Sequence, residues 1–235
     1  MESMYLLIND EQLFIDYLFT KQDKKYRDFH SSLILSDKLI GIRVPILRMI
    51  GKEISKYDFS NMFNFNNFYF EERMILGLAI GYAGYSFEKT ILFLNKFLKY
   101  IDNWSICDSV SSNLKIFKKE QEEGMEYIKC NINSNDEFTE RLCYVLLLNH
   151  FINDNYIDDI MDLLYKFKSK NKYYVDMAVS WLISFIYIKY PDMIIKLFSD
   201  NILQKNIQNK AISKICDSYR VKSEEKILLK GFRVK

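Results

Sequence analysis

Glycine and proline are scarce in this chain, seven and two in 235 residues. Sheets and barrels are punctuated by tight turns and use more of both, so long helices with short connections are favoured. Histidine is scarcer still, with only His30 and His150. The two lie in unrelated segments with no evident Ser or Cys partner, so a nucleophilic triad is not indicated. There is no P-loop and no GxGxxG, hence no fingerprint of a nucleotide cofactor. Cys107, Cys130, Cys143 and Cys216 are irregularly spaced, with no CxxC pair. That excludes the usual zinc frameworks and reads all four as small core hydrophobes in a reducing cytosol. No metal or cofactor is expected. The longest apolar stretches, such as Trp181 to Ile188, are far too short to span a bilayer. The opening MESMYLLINDEQ lacks a basic n-region and an h-region of signal length. A soluble cytoplasmic protein without a membrane partner is the expectation.

What is present is apolar and helix-forming. Hydrophobic residues are 49% and charged residues 27% of the chain, enough for a substantial core and too apolar for disorder. Ser86, Ser134 and Ser223 are N-cap candidates, and Ser134 with Glu137 fits a capping box. Pro45 suits a first helical turn, and Pro191 marks a break between two helices. Leu142, Val145, Leu146 and Asn149 follow three-four spacing, with Leu147, Leu148 and Phe151 broadening the face. The pattern predicts about a dozen helices of roughly 10–18 residues and no strand. No Pro/Gly/Ser-rich linker divides the chain, so residues 1–235 are expected to form one domain. Serial antiparallel helix pairs bury their second apolar face by stacking, which predicts an all-α, curved α-α superhelix of HEAT-like repeats. No fixed repeat period is legible, so pattern alone leaves a non-repetitive helical bundle open. Solenoids of this kind are stable as monomers, which is the expected state.

Net charge is only +2, but its distribution is uneven. From Lys205 to Lys235 there are nine basic and three acidic residues, so the remainder is slightly acidic. Lys210, Lys214 and Arg220 in that stretch could contact phosphates, or could form a solvated Lys-rich face.

The most informative segment is Ile101-Asp102-Asn103-Trp104-Ser105-Ile106-Cys107-Asp108-Ser109. Asp102 or Asn103 can cap a helix in which Trp104 and Asp108 share a face. An indole beside a carboxylate suits a cationic sugar or base, because ring face and charge both attract it. Taken by residue type alone, a core Trp with a solvated or capping Asp is the commoner arrangement. Trp181, the other tryptophan, reads in isolation as the core residue of an apolar helix. Arg141 opens the apolar helix from Leu142 and can reach a phosphate, or pair with Glu137 or Glu140 at the surface.

Together these segments resemble one known family. Gly41-Ile42-Arg43-Val44-Pro45-Ile46-Leu47-Arg48 resembles the early G-[IV]-x-x-P-x-x-R signature of DNA alkylation repair proteins of the AlkD type. Trp104 through Asp108-Ser109 resembles their W-x-x-x-D-S motif, and the helix from Arg141 their arginine-led helix. Met177-Ala178-Val179-Ser180-Trp181 resembles their second tryptophan helix. Asn209 to Ile215 and Ser218 to Val221 resemble their basic last helix. The resemblance runs in order over nearly the whole chain.

It implies a curved stack of HEAT-like pairs holding duplex DNA, and excision of N3- or N7-alkylated purines by cleavage of the N-glycosidic bond. By the same resemblance Asp108 is the catalytic aspartate, Trp104 and Trp181 flank the deoxyribose, and Arg141 lies near the lesion backbone. An alkylated purine is already cationic and leaves readily, so no general acid is needed, unlike a glycosidase with two carboxylates. One carboxylate can stabilise the oxocarbenium-like sugar and position water. The resemblance implies that the base stays in the duplex, where most glycosylases flip it into a pocket. The resemblance implies no lysine nucleophile and no lyase step. Some family members present another aromatic from an early helix. The stretch from Lys24 to Ile40 differs in length here, leaving Tyr26 and Phe29 as its candidates. Branches of the superfamily have lost excision or prefer branched DNA, so a non-catalytic HEAT-like binder of branched or damaged DNA is the alternative. A protein-binding scaffold is a third reading, disfavoured by the basic stretch after Lys205.

Overall fold

The computed structural model describes residues 4–34, 38–66 and 69–235. Residues 1–3 of the opening segment, and 35–37 of the stretch that differs in length, lie outside them. Among the described residues all regular structure is helical, as expected from the scarcity of turn formers. There are fifteen α-helices among the described residues, of four to seventeen residues, more numerous and some shorter than expected. No helix there is long and apolar enough to cross a membrane.

The chain divides into two compact units, Met1–Glu123 and Gly124–Lys235. The first contains α1 (Met4–Leu7), α2 (Glu11–Phe19), α3 (Lys24–Ser31), α4 (Val44–Ile54), α5 (Phe70–Tyr82), α6 (Phe87–Phe97), α7 (Trp104–Asn113) and α8 (Ile116–Lys119). The division falls in the first turn of α9 (Gln121–Asn131). The second unit continues with α10 (Glu137–His150), α11 (Ile157–Lys166), α12 (Tyr173–Lys189), α13 (Pro191–Ser199), α14 (Lys205–Asp217) and α15 (Ser223–Gly231).

Each unit is organised around helices that are apolar nearly all round, as burial on several sides requires. In the first, α5 packs against α4, α6 and α7, and its residues from Met74 to Ile80 are buried without a break. Two glycines permit this contact. A Cβ on Gly77 would stand 2.4 Å from Val110 Cγ2, and one on Gly81 2.4 Å from Asn113 Nδ2 and 2.8 Å from the Asn113 carbonyl oxygen. Asn113 Nδ2 donates to the Leu78 carbonyl at 2.8 Å, tying the end of α7 to the middle of α5. In the second unit α12 packs against α10, α13 and α14, and α10 is buried from Thr139 to Leu148. Within each unit helices pack serially, α4 on α5 on α7 in the first and α10 on α12 on α14 in the second, as expected of stacked helical pairs.

The helix ends correct several expectations. Pro45 lies in the first turn of α4 and Pro191 opens α13, as predicted. Ser86 caps α6. Ser134 does not cap α10: Asp136 does, its Oδ2 accepting from the Thr139 amide at 2.7 Å, while Ser134 Oγ accepts from the Asp136 amide. A carboxylate at this position gains from the helix dipole as well as the hydrogen bond. Ser223 is the first residue of α15 rather than its cap, and Glu225 folds back to accept from the Lys222 amide at 2.8 Å. The cysteines also divide. Cys107 and Cys143 are buried, Cys216 is half-buried, and Cys130 is exposed, so the last is no core hydrophobe.

One carboxylate does unexpected work. Glu71 is fully buried in the first turn of α5, where backbone amides satisfy its carboxylate. Its Oε1 accepts from the Gly41 amide at 2.7 Å and the Ile42 amide at 3.2 Å, and its Oε2 from the Ile40 amide at 2.9 Å. Burial pushes its carboxyl upward, against the pull of these amides. Gly41 has φ +95°, where a side chain is strained, and a Cβ there would meet Arg27. Glu71 thus seats the segment leading into α4.

Candidate nucleic-acid interface

In the first unit, the site is built on α7. Asn103 caps that helix: its Oδ1 accepts from the Ile106 amide at 3.1 Å, and its Nδ2 donates to Asp102 Oδ1 at 2.7 Å. Asp102 in turn pairs with Arg73 of α5, 3.1 Å apart, so a chain of polar contacts fixes where α7 begins. Ser105, Ile106 and Cys107 point into the core. Trp104 and Asp108, one turn apart, do not. Trp104 keeps 37% of its surface in solvent and Asp108 is half-buried. Burial is the rule for a core indole, so this exposure argues against the core reading. The same face continues one turn on to Ser112, whose Oγ lies 3.5 Å from an Arg48 guanidinium nitrogen of α4. Arg48 closes the glycine-proline-arginine motif of the sequence, and the structure brings it to the strip carrying Asp108. Tyr26 and Phe29 lie on α3, where Phe29 is exposed and Tyr26 stacks under the Arg43 guanidinium at 5.2 Å.

In the second unit, Trp181, Ser184, Phe185 and Ile188 form one stripe of α12. With Lys214, Asp217, Ser218 and Arg220 they line a recess of about 380 Å³. Trp181 packs edge-on against Phe185, ring centroids 5.7 Å apart. An adjoining recess of about 360 Å³ is lined by Met177, Asn209, Lys210, Ser213, Lys214, Asp217 and Arg233. The structure therefore brings Trp181, Lys210, Lys214 and Arg220 to one surface and adds Arg233, which sequence reasoning counted in the basic stretch but did not single out. Asp217 is the one carboxylate among these lining residues. Lys210 also sits over the exposed Tyr173 ring, 4.8 Å from its centroid.

Arg141 occupies a different kind of place. It is 5% exposed, and its guanidinium donates to the Tyr174 carbonyl at 2.6 Å. Glu137 accepts from the Tyr174 amide at 2.7 Å, and the buried Glu140 pairs with Lys172 at 2.6 Å. The first turn of α10 thus clamps the first turn of α12, the helix that carries Trp181.

The DNA alkylation repair enzyme family matches residues 17–215. No curated protein and no solved structure matches the chain. The match covers both units, including α7 and all of α12, and it extends over far more than half of the sequence. This chain belongs to the DNA alkylation repair enzyme family.

Proposed function

We propose that the protein is a monofunctional alkylpurine DNA glycosylase, a hydrolase that removes cationic N3- or N7-alkylated purines from duplex DNA. The observation that carries this reading is the solvent-facing pair on α7, Trp104 over a third exposed with Asp108 one turn along the same face. As the C1′–N bond lengthens, its electron pair leaves with the neutral purine and positive charge grows on the sugar. The Asp108 carboxylate stabilises that charge and orients water for attack at C1′, taking up its proton. By the family resemblance Trp104 and Trp181 are the tryptophans assigned to the deoxyribose, and an electron-rich ring there favours the cation. Arg141 belongs to the set as the arginine near the lesion backbone, and its bond to Tyr174 also seats α12. Lys210, Lys214 and Arg220 contact phosphates, so binding weakens steeply with salt. No lysine nucleophile takes part, and no covalent protein–DNA adduct forms.

The test is release of methylated bases from alkylated duplex DNA by wild type and Asp108→Asn. Wild-type release, slowed about 10²-fold or more in the variant, is expected from the loss of one charged stabiliser. Equal release by both overturns the role of Asp108. No release by either, with DNA binding intact, supports a binder of branched or damaged DNA without excision.

A further inference from the structure

We propose that Arg233 is a phosphate-binding residue, carried into the groove of the second unit by a segment that Asn209 holds against α14. The inference rests on the DNA-binding reading above. Four side chains converge on the adjoining recesses with positive charge: Lys210, Lys214, Arg220 and Arg233. The first three belong to α14 or to the turn after it. Arg233 comes from beyond α15, and charge alone would not bring it back to α14.

The side-chain amide of Asn209 does. Its Nδ2 donates to the Val234 carbonyl at 2.9 Å and its Oδ1 accepts from the Val234 amide at 3.0 Å, matching both backbone groups of one residue as a strand partner would. The adjacent Gln208 donates its side-chain amide to the Phe232 carbonyl at 2.7 Å. The Phe232 ring lies 6.3 Å from that of the buried Phe198. The residues on both sides of Arg233 are therefore fixed, and its guanidinium is aimed along α14, donating to Ser213 Oγ at 2.8 Å. Arg233 remains exposed, uses one of its donors on Ser213, and lines one recess with Lys210 and Lys214. Among the residues lining this recess Lys210, Lys214 and Arg233 outnumber the one carboxylate, Asp217, so the hollow carries net positive charge. A phosphodiester oxygen is the ligand that suits this, accepting from the planar guanidinium while the lysines supply charge.

The experiment measures binding of an undamaged duplex oligonucleotide by fluorescence anisotropy from low to physiological salt, for wild type, Arg233→Gln, Asn209→Ala and Asp217→Asn. Undamaged duplex separates binding from excision. Arg233→Gln is expected to weaken binding about tenfold at low salt. It should also make the slope of log affinity against log salt shallower by about 1. Because Arg233 is exposed, its melting temperature should stay at the wild-type value. Asn209→Ala, which keeps the arginine but releases its segment, should move in the same direction. Asp217→Asn should tighten binding. Wild-type affinity and slope in Arg233→Gln, with wild type itself binding, overturns this inference and leaves the DNA-binding reading standing. So does loss confined to Asn209→Ala, or an Asp217→Asn protein that binds no tighter. Absence of any salt-dependent binding by wild type overturns the DNA-binding reading and this inference together.

Discussion

Replacing Glu71 should damage the first unit far more than its place in a run of charged residues suggests. The carboxylate is fully buried and accepts three backbone N–H groups, those of Ile40, Gly41 and Ile42. Glu71→Gln keeps one acceptor oxygen. With that oxygen at the Oε1 position, the Gly41 and Ile42 bonds survive, but the new NH₂ group meets the Ile40 amide donor to donor. One buried donor is then unpaired and a charge-assisted bond becomes neutral, which costs about 2–3 kcal/mol. Glu71→Ala orphans all three donors and leaves a cavity, costing about 4–5 kcal/mol after partial relaxation. The measurement is urea unfolding followed by tryptophan fluorescence in a Trp181→Phe background, where Trp104 is the remaining reporter and lies in the first unit. The midpoint should fall in the order wild type, Gln, Ala, with the slope little changed. A Gln variant as stable as wild type would falsify the argument, because it would show that the three amides do not depend on the carboxylate.

Glu72 should give the first unit a pH dependence of unusual sign. Burial pushes its carboxyl up to about 7 from 4.5, so the folded state holds a proton that the unfolded state releases. Its contribution is therefore full below pH 4.5 and is lost as pH rises toward 7. Glu72→Gln cannot ionise, so above pH 7 it should exceed wild type by up to about 3 kcal/mol. Parallel stability curves for the two proteins from pH 4 to 8 would refute this. Gly81→Ala should lose about 2 kcal/mol in thermal or urea unfolding despite alanine's better helix propensity, because the new methyl meets the Asn113 backbone carbonyl and also the Asn113 Nδ2, which donates to the Leu78 carbonyl. An unchanged or raised melting temperature would show that α5 and α7 are less closely held than the distances indicate.

The exclusion of sheets was legible because it rests on composition, and few glycines and prolines leave few places to turn. Proline positions were legible for the same local reason: Pro45 and Pro191 fall where a missing N–H costs nothing. The pairing of Trp104 with Asp108 on one face follows from helical spacing alone, and so does the basic character of α14. The family was legible as an ordered series of short motifs, each of which carries little alone.

What the sequence left undecided depends on neighbours far along the chain. Glu71 reads as one of two acids in a helical first turn, a surface pattern, and only packing of the 40–42 segment onto α5 makes it a buried acceptor of three amides. Arg141 reads as a phosphate ligand or a surface ion pair, and the structure commits one of its nitrogens to the carbonyl of Tyr174, 33 residues away. The exposure of Trp104 required knowing that α7 buries Ser105 to Cys107 instead. Arg233 lies in a basic stretch without a visible partner, and reaches the groove because Asn209 matches the backbone of Val234. Spacing along the chain determined which residues share a helix face. Which face meets solvent, which carboxylate is buried and which distant cation arrives at the groove were decided by tertiary contacts, because burial and hydrogen-bond pairing are properties of neighbours and not of residues.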